Sequence, residues 1–270
     1  MKAVNGIPIL GYGTWPLAGD ECYRGVSMAL ELGIRHIDSA QNYGNEREVG
    51  RAIAASGTKR EDIFLVTKVA HDNLTNAKFA SSVRASLEAL GVDEVDLLLI
   101  HWPPPDKVFD AMIDKLSEAY TRKQARMIGV SNFTIAQMQR AAQRAAAAIV
   151  NNQVEFHPLL DQSRVKAEAQ KLRIALSAYS PLGRGAVLKE PAIIDIARKL
   201  GRLPSEVALR WIVQQGVIAL PMTTKRENCL SNLRALEFEL SDSEMKAIAA
   251  LTRQNRRLIS PAGWAPKWDN

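Results

Sequence analysis

Asp38, Tyr43, Lys68 and His101 are the residues of this 270-residue chain whose types and placement suit proton transfer to a carbonyl oxygen. Each stands at or just beyond the end of a short apolar run. Asp38 and Tyr43 lie in RHIDSAQNYGN, Lys68 in DIFLVTKV and His101 in VDLLLIHWP. A run of Val, Ile and Leu closed by a polar residue reads as a strand buried on both faces. In parallel barrels the chemistry gathers at the C-terminal strand ends. A free phenol titrates near ~10, so Tyr43 delivers a proton at neutral pH only if a neighbour lowers that value. Lys68 is the nearby cation for that task, and Asp38 holds its ammonium in place and charged. His101 would hydrogen-bond and orient the substrate oxygen. A positioned acid of this kind contributes on the order of 10²–10⁴ in rate. Singly, each residue has a plainer reading: a packing tyrosine, a solvated strand-end lysine. Their joint placement argues for a site.

The elements that must position these groups alternate along the chain. Strand-like runs fall at Leu10–Thr14, Arg35–Asp38, Ile63–Val69, Val95–His101, Met127–Ser131, Ile149–Glu155, Ile174–Tyr179 and Val217–Pro221. Helical patterns lie between them at Asp20–Leu32, Glu46–Ala55, Thr75–Ala89, Lys107–Thr121, Ile135–Ala147, Ser163–Lys171, Pro191–Gly201 and Ser205–Gln215. Two of those helices precede the last strand. A terminal helix, Ser241–Thr252, and an irregular tail follow. This alternation predicts a (β/α)8 barrel, one domain over residues 1–270. Thr75 and Ser205 are candidate N-caps, and Ser241 with Glu244 forms a capping box. Gly33, Gly91 and Gly201 follow helical runs, where a left-handed residue ends a helix.

Bulk properties exclude several classes. Apolar residues make up 47% of the chain, which argues against global disorder, and the net charge is +6 without long blocks of one sign. No interleaving of arginines and aromatics marks a nucleic-acid strip. Cys22 and Cys229 are the two cysteines. They lack metal spacing and read as reduced thiols, so no metal is expected and the expected compartment is the cytoplasm. No secretion signal opens the chain, and no apolar run reaches the roughly 20 residues of a membrane helix.

Seven motifs in order then resemble the aldo-keto reductase family: GYGTW at Gly11–Trp15, GIRHIDSAQNYGNEREVG at Gly33–Gly50, TKV at Thr67–Val69, LLLIHWP at Leu97–Pro103, IGVSNF at Ile128–Phe133, NQVEFHP at Asn152–Pro158 and YSPLG at Tyr179–Gly183. The resemblance implies reversible hydride transfer between a nicotinamide cofactor, NADP by preference, and an aldehyde or ketone. It puts the catalytic tetrad on Asp38, Tyr43, Lys68 and His101. Ser131, Asn132 and Gln153 match residues that hold the nicotinamide carboxamide, and Tyr179 the aromatic that stacks on the ring. Ser180, Leu182 and Gly183 continue into the pyrophosphate segment, and Gly13, Thr14 and Trp15 flank the cofactor across the mouth. No Rossmann GxGxxG opens a helix after a strand. That agrees with the extended cofactor pose the family implies.

At the adenosine end the chain departs from the family, where LPMTTKRENCLSN stands in place of the usual segment. Met222 takes the position of a Lys and Asn228 that of an Arg, while Thr223 and Asn232 keep theirs beside Thr224. An Asn replaces neither the charge nor the stacking of an Arg. NADP is expected if Lys225 or Arg226 reaches the 2′-phosphate; NAD becomes competitive if both point to solvent. Trp15 and Trp102 are expected to wall an open substrate pocket around Tyr43 and His101, with Trp264 or Trp268 as lids or packed outside the barrel. The expected partner is a small carbonyl substrate, with no nucleic acid and no membrane, and the expected form is a monomer. Two other readings stay open: a non-catalytic cofactor-binding regulator or scaffold on the same barrel, and isomerase or aldolase chemistry through a Lys68 Schiff base.

Overall fold

The computed structural model describes residues 2–269; Met1 and Asn270, the ends of the expected domain, lie outside the described residues. A short antiparallel hairpin, β1 (Ala3–Val4) and β2 (Ile7–Pro8), comes first. Its turn, Asn5-Gly6, has positive φ at both residues (51° and 80°), which is the backbone that an Asn-Gly hairpin turn needs. Asn5 Nδ2 donates to the Arg173 carbonyl at 2.8 Å, so the hairpin caps the end of the fold where the strands start.

Eight parallel strands follow: β3 (Tyr12–Gly13), β4 (His36–Asp38), β5 (Phe64–Val69), β6 (Val95–Ile100), β7 (Ala125–Ser131), β8 (Ile149–Glu155), β9 (Ala175–Tyr179) and β10 (Ile218–Ala219). Each pairs with its neighbours in sequence, and the ring closes where Leu10 pairs in parallel with Ala219. Gly11 N–H donates to the Ala219 carbonyl and Ala219 N–H to the Ile9 carbonyl, both at 2.9 Å. The fold is therefore the (β/α)8 barrel, and all eight expected strands are found within a few residues of their places. β5 and β6 are buried at every position because the barrel interior covers one face and helices the other.

The helices are α1 (Gly19–Glu31), α2 (Glu46–Ala55), α3 (Phe79–Leu90), α4 (Phe109–Thr121), α5 (Ile135–Arg144), α6 (Ser163–Lys171), α7 (Pro191–Leu200), α8 (Pro204–Gln214), α9 (Arg226–Arg234) and α10 (Asp242–Ala249). Ser241 caps α10 through the Glu244 amide, as the capping box required. Gly91 and Gly201 end α3 and α7 in the left-handed region. Two expected caps are displaced. Thr75 accepts from the Lys78 amide in a turn before α3, which starts four residues later than its pattern suggested. Ser205 lies inside α8, whose first residue is Pro204, a type pre-set for that position. α9 was not among the expected helices.

Packing is tight where α2 meets the end of α3. A Cβ built on Gly50 would stand 2.5 Å from the Leu90 carbonyl oxygen. Gly50→Ala is therefore expected to destabilise the protein by roughly 1–3 kcal/mol through forced separation of the two helices. Thermal unfolding measures this, and an unchanged Tm would show that the contact yields freely.

Candidate active site

Asp38 ends β4, Lys68 lies near the end of β5 opposite Leu99 of β6, and His101 follows β6 directly. Tyr43 sits in a single 3-10 turn, Gln41–Tyr43, just past β4. The four side chains meet at the strand ends. Lys68 is fully buried, and its Nζ donates to Asp38 Oδ1 at 2.6 Å, to the Ser39 carbonyl at 2.8 Å and to Tyr43 Oη at 3.2 Å. All three ammonium protons are thus used. Because Tyr43 Oη accepts from Lys68, its own proton is left to donate elsewhere. The other Asp38 oxygen, Oδ2, accepts from Gln153 Nε2 at 2.7 Å. The Tyr43 and His101 rings stand edge to face, 5.5 Å between centroids.

The electrostatics follow from burial and this one pair. Burial works against the Lys68 ammonium, but Asp38 and Tyr43 outweigh it, and its pKa is raised. His101 is pushed well below the usual imidazole value, first by burial and then by the Lys68 charge, so the ring is neutral near pH 7. Its Nδ1 is buried without a partner, and the ring lines the cavity. Tyr43 departs from expectation. Lys68 does pull the phenol down, yet burial pushes harder, and the net shift is upward. Lys68 therefore offsets part of a desolvation penalty rather than lowering the phenol below its free value.

A cavity of about 860 Å³ opens above these groups, lined by Asp38, Tyr43, His101, Trp102, Gln153 and Tyr179 among others. Gly13, Trp15, Asn132, Ser180, Leu182, Met222 and Trp264 also border it. Tyr179 OH donates to Asn132 Oδ1 at 2.7 Å, which fixes the ring at the cavity wall. Asn132 Nδ2 donates to the His101 carbonyl at 3.0 Å and to Ser131 Oγ at 3.1 Å, and Ser131 Oγ donates to the Gln153 carbonyl at 2.8 Å. Asn132 and Ser180 both hold positive φ, 64° and 47°, an uncommon backbone for such residues. A fixed aromatic face and an interlocked amide cluster at the cavity wall are what a nicotinamide ring with its carboxamide would require, so these residues fit that group.

Other expected positions lie behind or beside the cavity. Thr14 is buried, its hydroxyl on the Asp38 carbonyl at 3.0 Å, and Gly183 is the buried residue of the turn Gly183–Gly185. Thr223 accepts the Tyr12 hydroxyl on its carbonyl at 2.6 Å and the Lys225 amide on its own hydroxyl at 3.1 Å. Thr224, Lys225 and Arg226 are exposed, Asn232 is buried in α9, and none of the segment 223–232 lines the cavity. Lys225 stands at the N-terminus of α9, while Arg226 pairs with Glu31 at 3.1 Å. Trp268 is no lid: it packs edge-on against Trp102, with the Arg257 guanidinium 3.8 Å from its ring centroid. Trp264 does border the cavity, stacked on His71.

The profile of the Aldo/keto reductase family matches residues 9–253. This chain belongs to the aldo/keto reductase family. Methylglyoxal reductase DkgB of Yersinia pestis is 44% identical over 266 residues, spanning 97% of this chain and 99% of that relative. An aldo-keto reductase of Mycolicibacterium smegmatis is 41% identical, spanning 93% of this chain and 92% of its own. A protein provisionally named 2,5-diketo-D-gluconic acid reductase B has a solved structure that superposes with a TM-score of 0.96 at 43% identity, covering 98% of this chain and 95% of its own. The family makes the chain an oxidoreductase that reduces carbonyl compounds with a nicotinamide cofactor. Among the described residues, no helix is long and apolar enough to cross a membrane, and no cluster of His, Cys, Asp or Glu could hold a metal.

Within this aldo/keto reductase, Arg184, Ile259 and Pro261 are among the cavity-lining residues that the sequence did not single out. Arg184 follows the YSPLG motif at once, holds φ 51°, and lays its guanidinium 5.3 Å from the Trp15 ring centroid. Its place between Gly183 and Gly185 was the available signal. Ile259 and Pro261 come from the tail, for which no motif spoke.

Proposed function

We propose that this chain reduces aldehydes and ketones with NADPH, and that Tyr43 gives its proton to the carbonyl oxygen. The observation that carries this is Lys68, fully buried, donating to both Asp38 and Tyr43 while Tyr43 and His101 face the cavity. When bound, the cofactor supplies hydride to the carbonyl carbon. Asp38 keeps the Lys68 ammonium charged and placed. That charge favours the phenolate that forms as the Tyr43 proton leaves. Neutral His101 donates one N–H to the same oxygen and fixes the carbonyl in plane. Tyr179 offers its face to the nicotinamide, and Asn132 and Gln153 hold the carboxamide. Trp15, Trp102 and Trp264 give an apolar wall suited to uncharged carbonyl compounds, the class to which methylglyoxal belongs.

For the adenosine end, Lys225 is the cation offered to the 2′-phosphate, beside the first amides of α9. Arg226 serves only by releasing Glu31. Residues 1–270 act as one barrel unit in this reading, as a cytoplasmic monomer. The free, buried Cys22 and Cys229 support a reducing compartment.

Fluorescence titration with NADPH and NADH tests the cofactor assignment. Tighter binding of NADPH is expected, and Lys225→Ala should erase the difference. Met222→Lys should tighten NADPH over NADH by about tenfold, since it returns a cation beside the cavity. Equal binding of both cofactors by the native protein would refute the role of Lys225. An equal gain for both in Met222→Lys would show that residue 222 faces away from the 2′-phosphate.

A further inference from the structure

A buried carboxylate is one of the ties between the barrel and the tail wall of the cavity, beside the Arg256 N–H on the Leu159 carbonyl at 2.7 Å and the stack of Trp264 on His71. Glu155 ends β8 and is fully buried, yet it does not line the cavity. Its Oε1 accepts the Leu258 amide at 2.7 Å and its Oε2 the Ile259 amide at 2.9 Å, more than a hundred residues away in sequence. His157 supplies the third donor. Its Nδ1 accepts from the Leu159 amide, so its proton sits on Nε2, which meets Glu155 Oε1 at 2.9 Å. Residues 255–260 belong to no helix or strand. Their amides must find partners elsewhere, and a buried carboxylate is tolerated only when its oxygens are satisfied. Each requirement meets the other here. Directly beyond this tether, Ile259, Pro261 and Trp264 form a side of the cavity.

We propose that Glu155 is a positioning residue for substrate size: it sets how closely the 259–264 wall stands to the reacting carbonyl. The proposal rests on reading the cavity as the carbonyl site. Gln153 and Glu155 are two apart on β8 and so project to the same side of the strand. Gln153 reaches Asp38 and Glu155 reaches the tail, so one strand end sets both the tetrad and the wall. A bulky substrate touches the wall as well as Tyr43 and His101, whereas a three-carbon carbonyl needs only the latter pair.

Glu155→Gln tests this, because its NH₂ would face a backbone N–H and undo one tether. Amides of Leu258 and Ile259 are expected to exchange hydrogen roughly tenfold to a hundredfold faster, while those of β5 and β6 stay protected. In steady-state assays KM for phenylglyoxal is expected to rise about tenfold, with KM for methylglyoxal and both kcat values nearly unchanged. In a Trp264→Ala background the substitution should add little to the phenylglyoxal-to-methylglyoxal ratio, since both act through one wall. Unchanged tail exchange, equal losses for both substrates, or fully additive losses with Trp264→Ala would each overturn the proposal. Should Glu155→Gln fail to fold, Glu155→Asp keeps the charge, shortens the reach and carries the same readouts. Hydrogen exchange needs no turnover. A native protein that reduced neither carbonyl would refute the reading of the cavity and leave the tether to be judged by exchange alone.

Discussion

Tyr43→Phe is expected to lower kcat by about 10²–10⁴, the contribution of a positioned proton donor, with cofactor affinity unchanged. The substitution removes one hydroxyl and no packing. Lys68 keeps two of its three acceptors, Asp38 Oδ1 and the Ser39 carbonyl. The cavity wall at Tyr179, Asn132 and Gln153 does not touch that hydroxyl, so fluorescence titration should give the native Kd. Stopped-flow oxidation of bound NADPH measures the loss. Turnover within a few-fold of native would remove Tyr43 from the chemistry and bring a cofactor-binding scaffold forward.

Lys68→Met should be costly in two separate ways. Asp38, only 3% exposed, would keep Gln153 Nε2 as its side-chain donor and lose its charged partner. Removing one member of a buried ion pair costs about 3–5 kcal/mol and would lower Tm by roughly 5–15 °C. The second effect is on pH. Burial raises the Tyr43 phenol and Lys68 pulls it back, so losing Lys68 raises it further. The protonated phenol is the active acid. The alkaline limb of the reduction profile therefore moves to higher pH, while the rate at neutral pH falls because the acid is weaker. An alkaline limb left in place would detach Lys68 from Tyr43. Schiff-base chemistry needs a neutral amine, whereas Lys68 is raised and spends its three protons on acceptors, so borohydride should trap no substrate on it.

The strands, and the meeting of Asp38, Tyr43, Lys68 and His101 at their ends, were readable because their signals are local. An apolar run of Val, Ile and Leu must be buried on both faces, and a polar residue ending it must face the mouth; Lys68 after DIFLVT states both facts within eight residues. α9 gave no such signal. Its buried side chains are Cys229, Ser231 and Asn232, so no apolar stripe marks its helical period. The net shift of the Tyr43 phenol needed a weighing of burial against charge that spacing alone cannot supply. The Glu155 tether joins residues 103 and 104 positions apart, and nothing in either segment names the other. For Trp268 residue type left a lid and a packed ring equally open, and its contacts with Arg257 and Trp102 decide for packing.

The ring of strands is uneven around its circumference. β5 to β8 are six or seven residues long, whereas β3 and β10, which meet at the closure, have two each. Backbone pairing is densest on the arc that carries Lys68 and leads into His101, Asn132 and Gln153. It is sparsest along the seam that leads into Gly13, Trp15 and Met222. Local opening is easiest where few bonds close the sheet. The molecule thus has a stiff arc bearing Lys68, His101, Asn132 and Gln153 and a compliant seam bordering the cavity at Gly13, Trp15 and Met222, with Asp38 and Tyr43 on the short strand β4 and the turn after it, between the two.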